Sequence, residues 1–219
     1  MRGSIVGLCI TVVVSASPAR ADEGCEALRL TTIEHTLDDG EASSQRWWWG
    51  WLSGFTVASA TQAIVAATVH DDTLKKQSRM GALTSGIGAL TTLALPLPSA
   101  FGIARIRALP SGTPAERREK LRVAEAKLRD AADAERLGRS WLPHVGALVV
   151  NGAAALFLWR HDDLPVQGLE AFVVGMIVAE AKIFTQPIGA RDTVDALDAD
   201  VVTVSIAPLP GGLALVGEF

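Results

Sequence analysis

Trp47–Val69 reads WWWGWLSGFTVASATQAIVAATV: 23 residues without one Asp, Glu, Lys or Arg, opened by four tryptophans. As a helix at about 1.5 Å per residue it would extend about 34 Å, enough for a hydrocarbon core of about 30 Å. An indole has an apolar body and one N–H that needs a partner, so tryptophan collects where apolar and polar surroundings meet. Two further windows lack charged residues in the same way, Met80–Ala104 and Ser140–Trp159. Trp141 and Trp159 bracket the last of these, about 27 Å apart on a helix. All six tryptophans, Trp47, Trp48, Trp49, Trp51, Trp141 and Trp159, therefore fall at window ends and read as interface anchors. A fourth apolar stretch, Ala171–Ile188, is interrupted by Glu180 and Lys182 and stopped by Pro187. Residues 47–188 are thus expected to form a membrane domain of about four transmembrane helices, in an all-α integral membrane protein.

Composition agrees with a packed, apolar chain. Of 219 residues, 49% are hydrophobic and 20% charged. Disordered chains need the opposite balance. Two cysteines are too few for a disulfide scaffold, and a formal charge of −4 offers no general case for nucleic acid.

Residues 1–21 have the form of a secretory signal, with Arg2, the apolar run Ile5–Val14 and Ala19-Arg20-Ala21 before Asp22. Cleaved or retained, that segment would place the acidic stretch 22–46 outside the cytoplasm and the protein in a bacterial inner membrane. Leu30, Ile33 and Leu37 recur at helical spacing, and Thr31 with Glu34 has capping-box form. The expectation is one short amphipathic helix on the membrane surface, broken at Gly40.

Thr113–Arg139 carries the clearest helix signal. Thr113 is placed to cap it, Pro114 to open it and Glu116 to close a capping box. Glu116–Lys120, Glu125–Arg129 and Glu135–Arg139 are spaced as i,i+4 pairs. Within 189–219 an acidic linker leads to two strand-like runs around Pro208-Leu209-Pro210-Gly211-Gly212, predicting a short β-hairpin. Charge placement conflicts with four simple crossings. Ten Lys/Arg between Arg105 and Arg139 would share the exported side, against Lys75, Lys76, Arg79 and Arg160 on the other.

Several residues can carry chemistry. His70-Asp71-Asp72 follows the first window and His161-Asp162-Asp163 the third, so both lie on one membrane face in any hairpin arrangement. Two imidazoles and four carboxylates suit a divalent transition metal. A haem between two of His70, His144 and His161 is a weaker alternative. Glu180, an intramembrane acid, needs a partner from another helix, and Asn151 and Gln62 fall at matching depth. Lys182 is near its span end and is expected to snorkel outward. Gly50, Gly54 and Ala58 in one helix, and Ala171, Gly175 and Ala179 in another, form ridges that let helices approach closely. The chain shows no Walker A loop, no Gly-x-Ser-x-Gly elbow and no His-Glu-x-x-His pair. The leading functional expectation is a non-catalytic structural or assembly subunit of a membrane complex, with lipid and a protein partner or second copy as its contacts. A small transporter or ion-binding protein is the alternative, and a membrane enzyme or haem protein the weaker one.

Overall fold

The computed structural model describes residues 18–199, 203–209 and 212–218, with side chains described over 24–199. The first seventeen residues, which hold the apolar run of the expected signal segment, lie outside the described residues.

The chain begins with one long helix, α1 (Pro18–Thr68), of 51 residues. A three-residue link, 69–71, turns it back into α2 (Asp72–Ala94), where the Asp71 carboxylate accepts from the Leu74 N–H as N-cap. A single 3₁₀ turn (Pro98–Ala100) and the short α3 (Ile103–Arg107) lead to α4 (Pro114–Gly138). Two helices of twenty residues follow, α5 (Trp141–Arg160) and α6 (Pro165–Phe184), and then α7 (Gly189–Ala199).

These helices make two units. The N-terminal half of α1 packs with α3, α4 and α7 around Ile33, Leu37, Ile106, Ala124, Leu128 and Val194, all nearly or wholly buried. Polar contacts tie this charged module across its helices. The Lys120 amine meets Glu34 at 2.8 Å, Arg29 meets Glu125 at 2.5 Å, and the buried Ser44 and Ser99 hydroxyls pair at 2.9 Å. The second unit consists of two helical hairpins, the C-terminal half of α1 with α2, and α5 with α6. Lys76 and Asp162, 3.7 Å apart, link the tips of the two hairpins at the end far from the module.

Several expectations are corrected. The helix before Trp47 is neither short nor lodged on a surface: α1 runs through Gly40 without a break, and Ile33 and Leu37 belong to the protein core. A glycine inside a helix costs about 1 kcal/mol, and the buried side chains on both sides of Gly40 offset it. The i,i+4 pairs foreseen in α4 give way to contacts between helices: Glu125 turns to Arg29, Lys120 to Glu34 and Glu135 to the start of α7. The capping box forms, with Thr113 and Glu116 exchanging hydrogen bonds of 2.8 and 3.2 Å. The acidic stretch after Pro187 is not a linker. It folds as α7 and places Ala190 and Val194 in the module core.

The four-span bundle is overturned as well. Among the described residues, α5 is the one helix long and apolar enough to cross a membrane by length and composition. The reasons lie in the other three helices. The apolar half of α1 is diluted by Trp, Gly, Ser and Thr, and α2 opens on Lys75, Lys76 and Arg79. Helix α2 also ends at Ala94, so Leu97, Ala100 and Ile103 of the second apolar window are buried beyond its end instead of extending it, Ile103 in the module core. Helix α6 carries Glu170, Glu180 and Lys182. The expected C-terminal hairpin adds no element to this body: β1 (Thr203–Leu209) and β2 (Gly212–Glu218) pair with each other as a two-stranded antiparallel ladder, and the packed fold is an all-helical bundle.

Candidate binding site between the helical hairpins

The two hairpins do not close on each other. Between them lies a slot of about 1280 Å³, walled by α1 and α2 on one side and α5 and α6 on the other. Small residues make the width: Gly54 and Ala58 of α1, Gly146 and Ala147 of α5, Ala171 and Gly175 of α6. The predicted packing ridges thus line an open space at Gly54, Ala58, Ala171, Gly175 and Ala179, while Gly50 faces nothing within 4 Å of where a Cβ would stand. Gly175 also makes room for Asn151, whose amide oxygen would stand 1.9 Å from an added Cβ.

The polar residues expected to cluster at mid-depth do not converge. Glu180 pairs with His144, whose Nδ1 lies 2.9 Å from the carboxylate. Asn151 donates back to the Ala147 carbonyl of its own helix at 2.9 Å, and Gln62 reaches Ser85 at 3.5 Å. Lys182 does not snorkel outward. Its ammonium points into the slot, donating to the Thr92 hydroxyl at 2.7 Å and lying 5.4 and 5.9 Å from the ring centres of Phe55 and Trp47. No carboxylate among the described residues reaches it within ion-pair distance.

The tryptophans divide into two sets. Trp48 is buried and donates to the Thr92 carbonyl at 2.9 Å. Trp47 and Trp51, one helical turn apart, both donate to the Thr185 hydroxyl at 3.2 Å. These three latch α1 to the ends of α2 and α6. Trp49, Trp141 and Trp159 stay more than half exposed. Thr92 and Thr185 are the site residues that sequence reasoning missed, and His144, considered there only as a haem ligand, is instead the partner of Glu180. A threonine at the last turn of an apolar helix, facing a run of indoles, is the signal that was available.

The paired His-Asp-Asp segments come to the same end of the body, yet among the described residues no group of three or more His, Cys, Asp or Glu is placed to hold a metal. Turn chemistry accounts for the segments. Asp71 caps α2, and Asp163 takes the left-handed backbone region at φ 59° in the α5–α6 turn, where aspartate is among the few tolerated residues. His161 stacks on Phe157 at 4.6 Å, and His70 and Asp72 are exposed.

Where module meets hairpins, the last turn of α4 holds the chain in two places. The Glu135 carboxylate, 1% exposed, accepts from the Ala190 and Arg191 N–H groups at 3.4 and 2.9 Å and so caps α7. One turn on, Arg139 donates to the Phe184 and Gln186 carbonyls at 2.8 and 2.7 Å and closes the C-terminus of α6. Burial raises the Glu135 pKa above its ordinary value, outweighing the two N–H donors that favour the carboxylate.

Fold and site together define an all-helical bundle whose apolar hairpins frame an open slot and stand on a charged helical module. Comparison with family models, characterised proteins and solved structures finds no match to this chain.

Proposed function

We propose that this protein is a non-catalytic, membrane-anchored assembly subunit, held at the bilayer by α5 and the exposed apolar face of α6 beside it, and engaging a partner or second copy through its charged module. The observation that carries the reading is the outer surface of α5. That helix is about 30 Å long, the thickness of a hydrocarbon core, and only 17% of its apolar window is buried inside the protein. The neighbouring surface of α6 is of the same kind, with Val166, Leu169, Val174 and Ile177 each at least 60% exposed. Water-soluble monomers rarely leave contiguous apolar patches beyond a few hundred Å² uncovered, so these faces call for lipid or protein cover. The exposed face of α4 differs sharply: Arg118, Glu119, Arg122, Arg129, Asp130 and Arg136 give it charges of both signs, which suits a polar partner and not a bilayer interior.

The test has two arms. Membranes from cells expressing the full chain are washed with alkaline carbonate, and the expected result is retention in the pellet; release into the supernatant refutes the anchoring. Light scattering of the protein purified in a mild non-ionic detergent is expected to show an oligomer or a stoichiometric partner. A lone monomer refutes the assembly role.

A further inference from the structure

We propose that the slot between the hairpins is a binding site for one anionic long-chain amphiphile, its acidic headgroup on Lys182 and its chain lying between the hairpins toward their tips. The slot is a groove open to the outside, and its volume of about 1280 Å³ is ample beside the range of about 300–1,000 Å³ usual for small-molecule pockets. A groove of that size can take an occupant. Water fills polar cavities that offer each molecule several partners, whereas this lining is mostly apolar.

Polarity along the slot orients the occupant. At the module end stands Lys182, an ammonium with three donors, of which Thr92 takes one. The Trp47 and Phe55 rings flank it and replace part of its hydration. Among the described residues no carboxylate is in reach to act as its counter-ion. Among the described residues the other charged one lining the slot is Glu170, 12 positions earlier on α6 and so about 18 Å away at the opposite end. That separation is more than half the thickness of a hydrocarbon core of about 30 Å, the length scale of one acyl chain. A cation at one end, an apolar channel of acyl length and an acid at the far mouth together select a molecule with an anionic head and an apolar tail. A nucleotide would need many more polar partners than this lining holds, and a cation would be repelled by Lys182.

This inference rests on the membrane reading only for the supply of such lipids. Binding is measured on the purified full chain, so it can fail while carbonate retention holds, and the reverse. The probes are oleate and its uncharged counterpart oleyl alcohol, titrated into the protein in dodecyl maltoside and counted by native mass spectrometry. One oleate per chain is expected. Lys182→Gln should weaken oleate roughly tenfold or more while leaving oleyl alcohol unchanged, and Lys182→Arg should restore most of the loss. Ala147→Phe, which fills the slot, should abolish both. Unchanged oleate affinity in Lys182→Gln overturns the headgroup assignment, and binding that survives Ala147→Phe overturns the slot as the site. A disulfide-linked dimer formed by Ala147→Cys in the Cys25→Ser background would assign the slot to a second copy and likewise overturn the proposal. Far-ultraviolet circular dichroism checks that each variant folds. If Lys182→Gln does not, Lys182→Met takes its place, and the slot-filling variant tests the site independently.

Discussion

Replacing Glu135 by alanine should detach α7 from the module. In the parent protein its carboxylate accepts from two backbone N–H groups at the start of α7, at 2.9 and 3.4 Å, inside a site with 1% exposure. Hydrogen bonds to a charged group contribute about 1.5–3 kcal/mol each, and loss of an N-cap costs about 0.5–2 kcal/mol. Against this stands the cost of keeping a carboxylate out of water, the largest influence on its pKa. A net loss of about 2 kcal/mol is expected for Glu135→Ala, which speeds hydrogen exchange at the Ala190 and Arg191 amides by about thirtyfold. The pH dependence separates charge from geometry. Because the folded pKa lies above the ordinary 4.5, the unfolded chain releases this proton first as pH rises. In that interval the native state binds more protons, so this group's contribution to stability falls from about pH 4.5 through the folded pKa and is level above it. Glu135→Gln does not titrate, so its deficit relative to the parent should shrink across the same interval. Exchange at Ala190 and Arg191 that is unaltered in Glu135→Ala, or a Gln deficit that widens with rising pH, would refute the reasoning.

Other substitutions probe the hairpins. Gly168→Ala puts a Cβ 2.7 Å from the Ala155 carbonyl oxygen, backbone that cannot step aside. The hairpin must splay, and thermal unfolding should show a loss of about 1–3 kcal/mol. Trp48→Phe keeps most of the buried ring but strands the Thr92 carbonyl. A loss of about 1–2 kcal/mol by chemical denaturation is expected, and none would sink the latch. At the hairpin tip, Asp71→Ala should cost about 1 kcal/mol through the lost α2 cap, whereas His70→Ala should stay within about 0.5 kcal/mol and leave zinc uptake, measured by elemental analysis, unchanged.

Local signals in the sequence carried over well where the chain decides structure locally. Thr113, Pro114 and Glu116 announce the start of α4, and the capping box foreseen there forms. What could not be read is what each helix packs against. The stripe Leu30, Ile33 and Leu37 suits a membrane surface and a protein core equally, and only the folding of α7 onto α4 supplied the core. Charge density misled in the same way. Asp192, Asp195 and Asp198 made 189–200 resemble a solvated linker, yet they share one helix whose other side buries Ala190 and Val194. At the site, Glu180 and Lys182 stood out in the sequence as charges within an apolar stretch, but their partners, His144 and Thr92, come from elements 36 and 90 positions away. Nothing in the spacing of a single chain encodes those distances.

The tryptophan run shows how one physical demand has two structural answers. An indole at the edge of an apolar helix must bury its rings and satisfy its N–H. Headgroup oxygens meet both needs for an isolated helix, which is why Trp47, Trp48, Trp49 and Trp51 read as bilayer anchors. Within the bundle, Thr185 and the Thr92 carbonyl meet the same needs for Trp47, Trp51 and Trp48. Trp49, Trp141 and Trp159 keep their rings exposed, and on the proposed membrane reading they are the ones left to anchor. The latch has a further consequence for the slot. Thr92 accepts from Lys182 through its hydroxyl and from Trp48 through its carbonyl, and the Trp47 ring lies near the Lys182 ammonium while its N–H holds Thr185. The groups that set the polar end of the slot are therefore the groups that fix α1 against α2 and α6. Because α1 continues unbroken from this latch into the module core, the position of the cation is set by the same packing that holds the charged module together.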